Sequence, residues 1–153
     1  MRNQDDEYNY RLRKLGFRLL LSPSLTSRYH GRSSFRGLAR QYAGYGLWKV
    51  RVLQKHPRQM QARQFAPPLA VAGGLALVAA APVSGPAVGV LAAAVVGYGL
   101  TASAAAARAC AGGRARLWPG VVAAYALMHF SYGAGFLAGL WRFRRRWADR
   151  GLA

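Results

Sequence analysis

The chain has 153 residues and a formal net charge of +18, because 22 lysines and arginines face only four aspartates and glutamates. One domain would fit this length, but the charge distribution argues against a single globular core: residues 64–107 and 117–141 contain no Asp, Glu, Lys or Arg, whereas residues 1–63 carry 14 of the 22 bases. The sequence predicts three parts, which are a basic head (1–64), a membrane segment (65–141) and a basic tail (142–153).

The positive charge favours anionic partners, namely nucleic acid, anionic lipid headgroups, or nucleotide and lipid diphosphates. Nucleic-acid binding is disfavoured, because half of the chain is apolar and no recognised binding fold accompanies the charge. The N-terminus lacks the pattern of a secretory signal, so the head is expected in the cytosol. The single cysteine, Cys110, agrees with a reducing compartment, and we interpret it as a small packing residue.

A short helix is predicted at residues 4–15, where Tyr8, Leu12 and Leu15 recur at a spacing of four and three. Acidic residues open this helix, basic residues close it, and Gly16 follows, where it permits a left-handed cap.

Two short extended pieces are predicted next, at residues 17–21 and 25–29. The first is apolar, too short for a helix and stopped by a Ser-Pro-Ser turn, so it is predicted to be a buried strand.

A long amphipathic helix is predicted at residues 35–55, with an N-cap from Ser33 or Ser34 and an end at His56-Pro57. Such a helix could lie in the headgroup region or close over a site. Its predicted apolar stripe consists of Phe35, Leu38, Tyr42, Tyr45 and Val52.

Three apolar helices are predicted in the second half of the chain. Residues 65–107 are long enough for two membrane-spanning helices, divided by a Pro-rich turn at 82–86, and residues 117–141 form the third after a basic loop. Three full spans from a cytosolic head would put the arginine-rich tail outside, against the positive-inside tendency. Either the two Ala-rich helices of residues 65–107 do not both cross the membrane, or the chain violates the positive-inside tendency. The sequence leaves both alternatives open.

The acidic triplet Asp5-Asp6-Glu7 contains three of the four acidic residues. Taken alone, an acidic triplet at a helix start is most often solvated surface that complements the helix dipole. The functional alternatives are a general base or a divalent-metal ligand, both of which need carboxylates on a rigid element.

The sequence around the triplet resembles the C-terminal part of the catalytic domain of family 2 glycosyltransferases, in the bacterial exopolysaccharide, succinoglycan-type branch. The resemblance rests on residues 4–24, Tyr29 and residues 32–34; it is strong from Asn3 to about Pro57 and loose over nearly all of the remaining chain. In that family an acidic motif followed by an Arg-Leu pair opens a helix beside the acceptor. The matching positions here are Gln4, Asp5, Glu7, Arg11 and Leu12.

The resemblance implies that Asp5 is the general base, which deprotonates an acceptor hydroxyl as it attacks the anomeric carbon of a nucleotide sugar with inversion. Gln4 stands where the family usually has Glu, and Asp6 takes the catalytic role if the register is shifted by one. Glu7 and Arg11 are expected to contact the substrate.

A second family motif, Gln-x-x-Arg-Trp, falls on the long helix. Gln41 matches, Tyr45 replaces the tryptophan with another aromatic residue, and Gly44 stands where the arginine would be. The resemblance implies substrate contacts for Gln41, Tyr45 and Trp48, although simple aromatic packing explains Trp48 equally well. His129, alone in an apolar helix, is interpreted as a packed, hydrogen-bonded residue.

The nucleotide-binding βαβ half of the family, with its metal-binding Asp-x-Asp motif, has no counterpart in this sequence. The fold implied is mainly α: a truncated C-terminal part of a GT-A α/β domain, with one short helix, two short strands and one long amphipathic helix, followed by about three membrane helices. No metal or cofactor site is expected within this chain, whereas a divalent metal, Mg²⁺ or Mn²⁺, is expected in the full-length enzyme.

The function implied is sugar transfer from a nucleotide sugar to a polyprenyl-diphosphate-linked or polysaccharide acceptor in exopolysaccharide biosynthesis. The enzyme would act at the bacterial inner membrane with a cytoplasmic head, and this chain alone is expected to be inactive. The alternative is a small basic membrane protein that binds anionic lipid or a partner protein and performs no chemistry.

Overall fold

The computed structural model describes residues 3–28 and 31–147. Within these residues the chain forms five α-helices joined by turns and short 3₁₀ segments. The helices are α1 (Gln4–Lys14), α2 (Phe35–Lys55), α3 (Ala66–Ala80), α4 (Gly85–Ala109) and α5 (Trp118–Arg142).

The end of α1 is set by the local sequence. Gly16 adopts a left-handed conformation with φ of 84°, and the amides of Gly16 and Phe17 bond back to the carbonyls of Arg13 and Leu12 at 3.2 and 3.0 Å. This pair of bonds is a Schellman motif, which satisfies carbonyls that the helix leaves unpaired. The predicted C-terminal cap is therefore confirmed.

Both ends of α2 also agree with the sequence. Ser34 is the N-cap, and its hydroxyl accepts a hydrogen bond from the Gly37 amide at 3.1 Å. The helix ends at Lys55, before His56 and Pro57. The predicted apolar stripe is correct only in part, because Val52 is buried whereas Phe35 is 54% exposed.

The buried face of α2 is decided by α5, which approaches it closely through glycines. A β-carbon added to Gly139 would lie 2.6 Å from the Leu47 carbonyl oxygen, and one added to Gly46 would collide with the backbone of Tyr132. Small residues permit such close contact between helix backbones. Val50, Phe136 and Phe143 form the buried core cluster of this interface.

Three helical segments are long and apolar enough to cross a membrane: Ala66–Val83, Gly85–Ala109 and Ala115–Arg142. Large apolar side chains such as Leu69 and Leu100 are 68% and 67% exposed on them, as expected for surfaces that face lipid. The predicted turn at 82–86 divides α3 from α4, and Ser84 caps α4.

The predicted strands at 17–21 and 25–29 are wrong. No residue of 3–28 or 31–147 is in a strand, and residue 29 lies outside the described chain. Leu20 and Leu21, expected to be buried, are 92% and 93% exposed. A strand needs a neighbour to accept its backbone hydrogen bonds, and the described residues offer none. The expectation of a partial GT-A α/β domain is therefore also wrong for this chain.

The basic turn Arg144–Arg146 lies beside α2. The Gln54 side-chain amide donates to the Phe143 carbonyl at 2.9 Å, and the Arg51 guanidinium donates to the Arg146 carbonyl at 3.3 Å. The ring of Trp48 packs on that of Phe143 with centroids 5.4 Å apart. The start of the predicted tail is thus attached to a helix of the head.

Candidate functional site

The acidic triplet lies on the first turn of α1, and Asp6 is fixed to α2. The ammonium group of Lys49 donates a hydrogen bond to the Asp6 carboxylate. The Lys49 side chain is only 6% exposed, whereas that of Asp6 is 42% exposed. A buried ammonium group needs a charged or hydrogen-bonding partner, so this pair holds Asp6 in one orientation.

Glu7 is the buried member of the triplet. Its Oε1 accepts from Arg11 Nε at 3.1 Å and His56 Nε2 at 3.3 Å, and Lys55 Nζ lies 3.6 Å away. Burial alone would raise the pKa of Glu7, but the hydrogen bond from His56 and the charges of Lys55 and Arg11 outweigh burial and hold the pKa below its usual value. Glu7 is therefore an ionised group that ties α1 to the end of α2.

Asp5 is the exposed member of the triplet, and it opens into a pocket of about 500 Å³. Its carboxylate forms no hydrogen bond or ion pair with any other residue in the described ranges. Both oxygens of Asp5 are thus available to accept a proton, whereas Asp6 already accepts from Lys49. The residues that line this first pocket are Asn3, Gln4, Asp5, Asp6, Arg32, Gln41 and Tyr45.

Gln41 and Tyr45, predicted from a separate motif, lie in the same first pocket as Asp5. The Gln41 amide donates to the Tyr45 hydroxyl at 2.6 Å, and Asn3, directly before α1, donates to the Tyr45 carbonyl at 3.0 Å. A hydrogen bond from the residue that precedes α1 therefore ties the start of α1 to the part of α2 that carries Gln41 and Tyr45.

Sequence reasoning missed Arg32 and Lys49. Arg32 Nε donates to Gln41 Oε1 at 3.1 Å, which brings a guanidinium group into the first pocket from the loop before α2. Gly44 occupies the motif position where an arginine was expected, so the positive charge in this pocket comes from another part of the chain. The sequence signals for Arg32 were its place in the resemblance at residues 32–34 and the basic residues Arg28 and Arg32 before the helix.

Trp48 lies outside the first pocket and packs on Phe143, as described above. Glu7 and Arg11 instead line a second, open cleft on the other side of Asp5, together with Lys55. His129 is hydrogen-bonded to the Tyr98 hydroxyl at 2.9 Å. Substrate contacts of Glu7, Arg11 and Trp48 stay predictions.

No group of three or more His, Cys, Asp or Glu side chains comes together as a metal site within residues 3–28 and 31–147. The carboxylates of the triplet are not arranged to bind a divalent metal, because Asp6 is paired with Lys49 and Glu7 is surrounded by three basic side chains.

The chain is similar to a protein of succinoglycan biosynthesis. It is 35% identical over 151 residues to the succinoglycan biosynthesis protein ExoA of Rhizobium meliloti (strain 1021). The alignment covers 94% of this chain but only 42% of that relative, so the chain spans less than half of the relative's length. No family model matches the chain, and no solved structure matches it.

Proposed function

We propose that this chain is the acceptor-side, membrane-anchored part of an inverting glycosyltransferase of exopolysaccharide biosynthesis. Its donor would be a nucleotide sugar, and its acceptor a sugar carried on a polyprenyl diphosphate. The observation that carries this proposal is the accessible carboxylate of Asp5 in a pocket that also holds Arg32, Gln41 and Tyr45. The similarity to a succinoglycan biosynthesis protein supports a role in exopolysaccharide biosynthesis.

In the proposed reaction, Asp5 accepts the proton of an acceptor hydroxyl while the hydroxyl oxygen attacks the anomeric carbon. The new glycosidic C–O bond forms as the bond to the nucleoside diphosphate breaks, and the leaving oxygen takes the electron pair. A positioned general base contributes about 10²–10⁴-fold to such a step. Arg32, oriented by the neutral Gln41 side chain, keeps its positive charge available for an anionic group of the substrate.

The remainder of the enzyme would bind the nucleotide sugar. The expected divalent metal is assigned to that remainder, because the carboxylates described here do not fit a metal, and no step proposed for this chain depends on it. An inner-membrane location with a cytoplasmic head would allow Asp5 to meet both a soluble donor and a lipid-linked acceptor.

The test is a chimera in which this chain replaces the matching part of the Rhizobium meliloti relative, expressed in cells that lack that relative. Transfer of radiolabelled sugar to extractable lipid and succinoglycan production are measured. The chimera should be active, Asp5→Asn should lower transfer by at least about 100-fold, and the purified 153-residue chain should show no transfer from a nucleotide sugar.

Transfer that survives both Asp5→Asn and Asp6→Asn would overturn the general-base assignment. Loss with Asp6→Asn alone would move the catalytic role to Asp6. Measurable transfer by the purified chain would contradict the need for a second part.

A non-enzymatic membrane protein is the second candidate, and one observation favours it. Phe17, Leu20, Leu21 and Leu25 are 60–93% exposed, and their segment carries Arg18 and is flanked by the bases Lys14 and Arg28, a combination suited to anionic membranes. Liposome association that requires anionic lipid and survives replacement of the acidic triplet, together with an inactive chimera, would favour this candidate.

A further inference from the structure

A further pocket, of about 340 Å³, lies where the head meets the membrane helices. We call it the junction pocket. Its wall includes Lys49 of α2, Arg63 of the 3₁₀ segment Ala62–Gln64, and Tyr132 of α5. It shares Asn3, Asp6 and Tyr45 with the first pocket, so the two cavities adjoin across these side chains.

The polar side of the junction pocket contains two donor groups without a partner in the described part of the chain. The Arg63 guanidinium, an exposed group, forms no ion pair with another residue of the described chain. The Tyr132 hydroxyl is buried and has no hydrogen-bond partner among residues 3–28 and 31–147. Because Asp6 is already neutralised by Lys49, the charge of Arg63 leaves the pocket net positive. An anionic ligand would satisfy both Arg63 and the buried hydroxyl.

The other side of the junction pocket is apolar. Pro67 and Met128 line it, and both belong to segments long and apolar enough to cross a membrane. Arg63 precedes the first of these segments by three residues, so it lies at the level of lipid headgroups if that segment enters the membrane. A ligand that fits this pocket has an anionic head and an apolar tail.

We propose that the junction pocket binds the phosphate groups of an isoprenoid-linked acceptor, with Arg63 and Tyr132 as hydrogen-bond donors. This inference rests on the proposed function and deepens it. The isoprenoid leaves the pocket past Pro67 and Met128 toward the membrane, and the acceptor sugar extends past Asn3 and Tyr45 into the first pocket, where Asp5 lies.

The test measures binding by the full chain in nanodiscs of a neutral lipid. The probe is farnesyl diphosphate, compared with inorganic diphosphate, which lacks the tail, farnesol, which lacks the anion, and phosphatidylglycerol, an anionic lipid without an isoprenoid. Farnesyl diphosphate should bind at least tenfold more tightly than each of the other three.

Two variants identify the donors. Arg63→Gln should weaken farnesyl diphosphate binding by about 10- to 100-fold, and Tyr132→Phe by about 3- to 10-fold. The matched control is Arg58→Gln, since Arg58 is an exposed base on the same connection and does not line the junction pocket. This control should change binding less than twofold.

Equal weakening by Arg58→Gln and Arg63→Gln would reduce the effect to general charge attraction and overturn the proposal. Equal binding of inorganic diphosphate would identify a free-phosphate site instead, and equal binding of phosphatidylglycerol a headgroup site. Asp5→Asn should leave farnesyl diphosphate binding unchanged, so the two proposals fail separately. If the chimera is active and depends on Asp5, but binding does not depend on Arg63, only the junction-pocket proposal is refuted. If binding depends on Arg63 but the chimera is inactive, only the glycosyltransferase proposal is refuted.

Discussion

Replacing Glu7 with glutamine should detach α1 from α2. The two helices meet through side chains: Asn3 with Tyr45, Asp6 with Lys49, and Glu7 with Lys55 and His56. Glu7 is the most buried residue of α1, at 7% exposure, so little solvent can compensate for the loss of its charge.

The free energy that Glu7→Gln should remove from the contact between α1 and α2 follows from the bonds that Glu7 makes to α2. Arg11 lies on α1 itself, so only His56 at 3.3 Å and Lys55 at 3.6 Å tie Glu7 to α2. Hydrogen bonds to a charged group contribute about 1.5–3 kcal/mol, and the Lys55 contact is long and partly exposed. A loss of about 2–3 kcal/mol corresponds to a roughly 30- to 150-fold increase in the population with α1 detached.

Amide hydrogen exchange, followed by mass spectrometry on the chain in nanodiscs, measures this population directly. An isolated helix of 11 residues is only marginally stable in water, so a detached α1 should unfold and exchange. Glu7→Gln should therefore accelerate exchange in Gln4–Lys14 by the factor above. The control is Asp5→Asn on the same helix, which should change exchange less than threefold. Equal acceleration by both variants would refute the assignment of Glu7 as the anchor.

Three further predictions concern pH, packing and topology. The pKa of Glu7 in the folded chain lies below its ordinary value of 4.5, so its contribution to holding α1 is present above about pH 4.5 and is lost as the pH falls through the folded pKa. The protection of the α1 amides, measured relative to the exchange rate of an unfolded chain at the same pH, should therefore fall in acid. A protection that does not change with pH would contradict this. Gly46→Leu should lower the thermal stability of the chain in detergent by several degrees, because its side chain would collide with the α5 backbone, whereas Gly73→Leu, with no atom within 4 Å of its β-carbon, should not. Single cysteines that replace Ser24 and Arg145, both exposed, should react with an impermeant maleimide from the same side of the membrane in an otherwise cysteine-free chain. The reason is that the 144–146 turn is bonded to α2. Labelling of the two cysteines from opposite sides would refute this arrangement.

The helix boundaries followed from the sequence because local interactions decide them. Gly16 ends α1 through its own left-handed backbone, and the Ser34 hydroxyl begins α2 through a bond to an amide three residues away. The strand predictions failed for the opposite reason. Residues 17–21 have the composition of a buried strand, but a strand is completed by its neighbour, and the described chain supplies none.

The sequence motifs indicated some residues of the first pocket, but neither Arg32 nor the contacts that join these residues. Asp5, Gln41 and Tyr45 were selected from two separate motifs, and the structure brings them into one pocket. The contacts of Lys49 with Asp6 and Arg32 with Gln41 were missed because they join residues 43 and 9 positions apart, beyond any local pattern. Nothing in the helix periodicity indicates that the Lys49 side chain is buried, as the structure shows.

The three carboxylates of the acidic triplet have different surroundings because their side chains point in different directions from α1. Successive residues of an α-helix point about 100° apart, so three consecutive carboxylates cannot share one environment. Glu7 points into the interface and anchors the helix, Asp6 is held by a buried lysine between the first pocket and the junction pocket, and Asp5 faces the first pocket without a partner in the described chain. A rigid helix with one accessible carboxylate is what a general base requires. Asp6 and Glu7, which are bonded to other residues, thus hold α1 in place, and the proposed role of Asp5 depends on that rigidity.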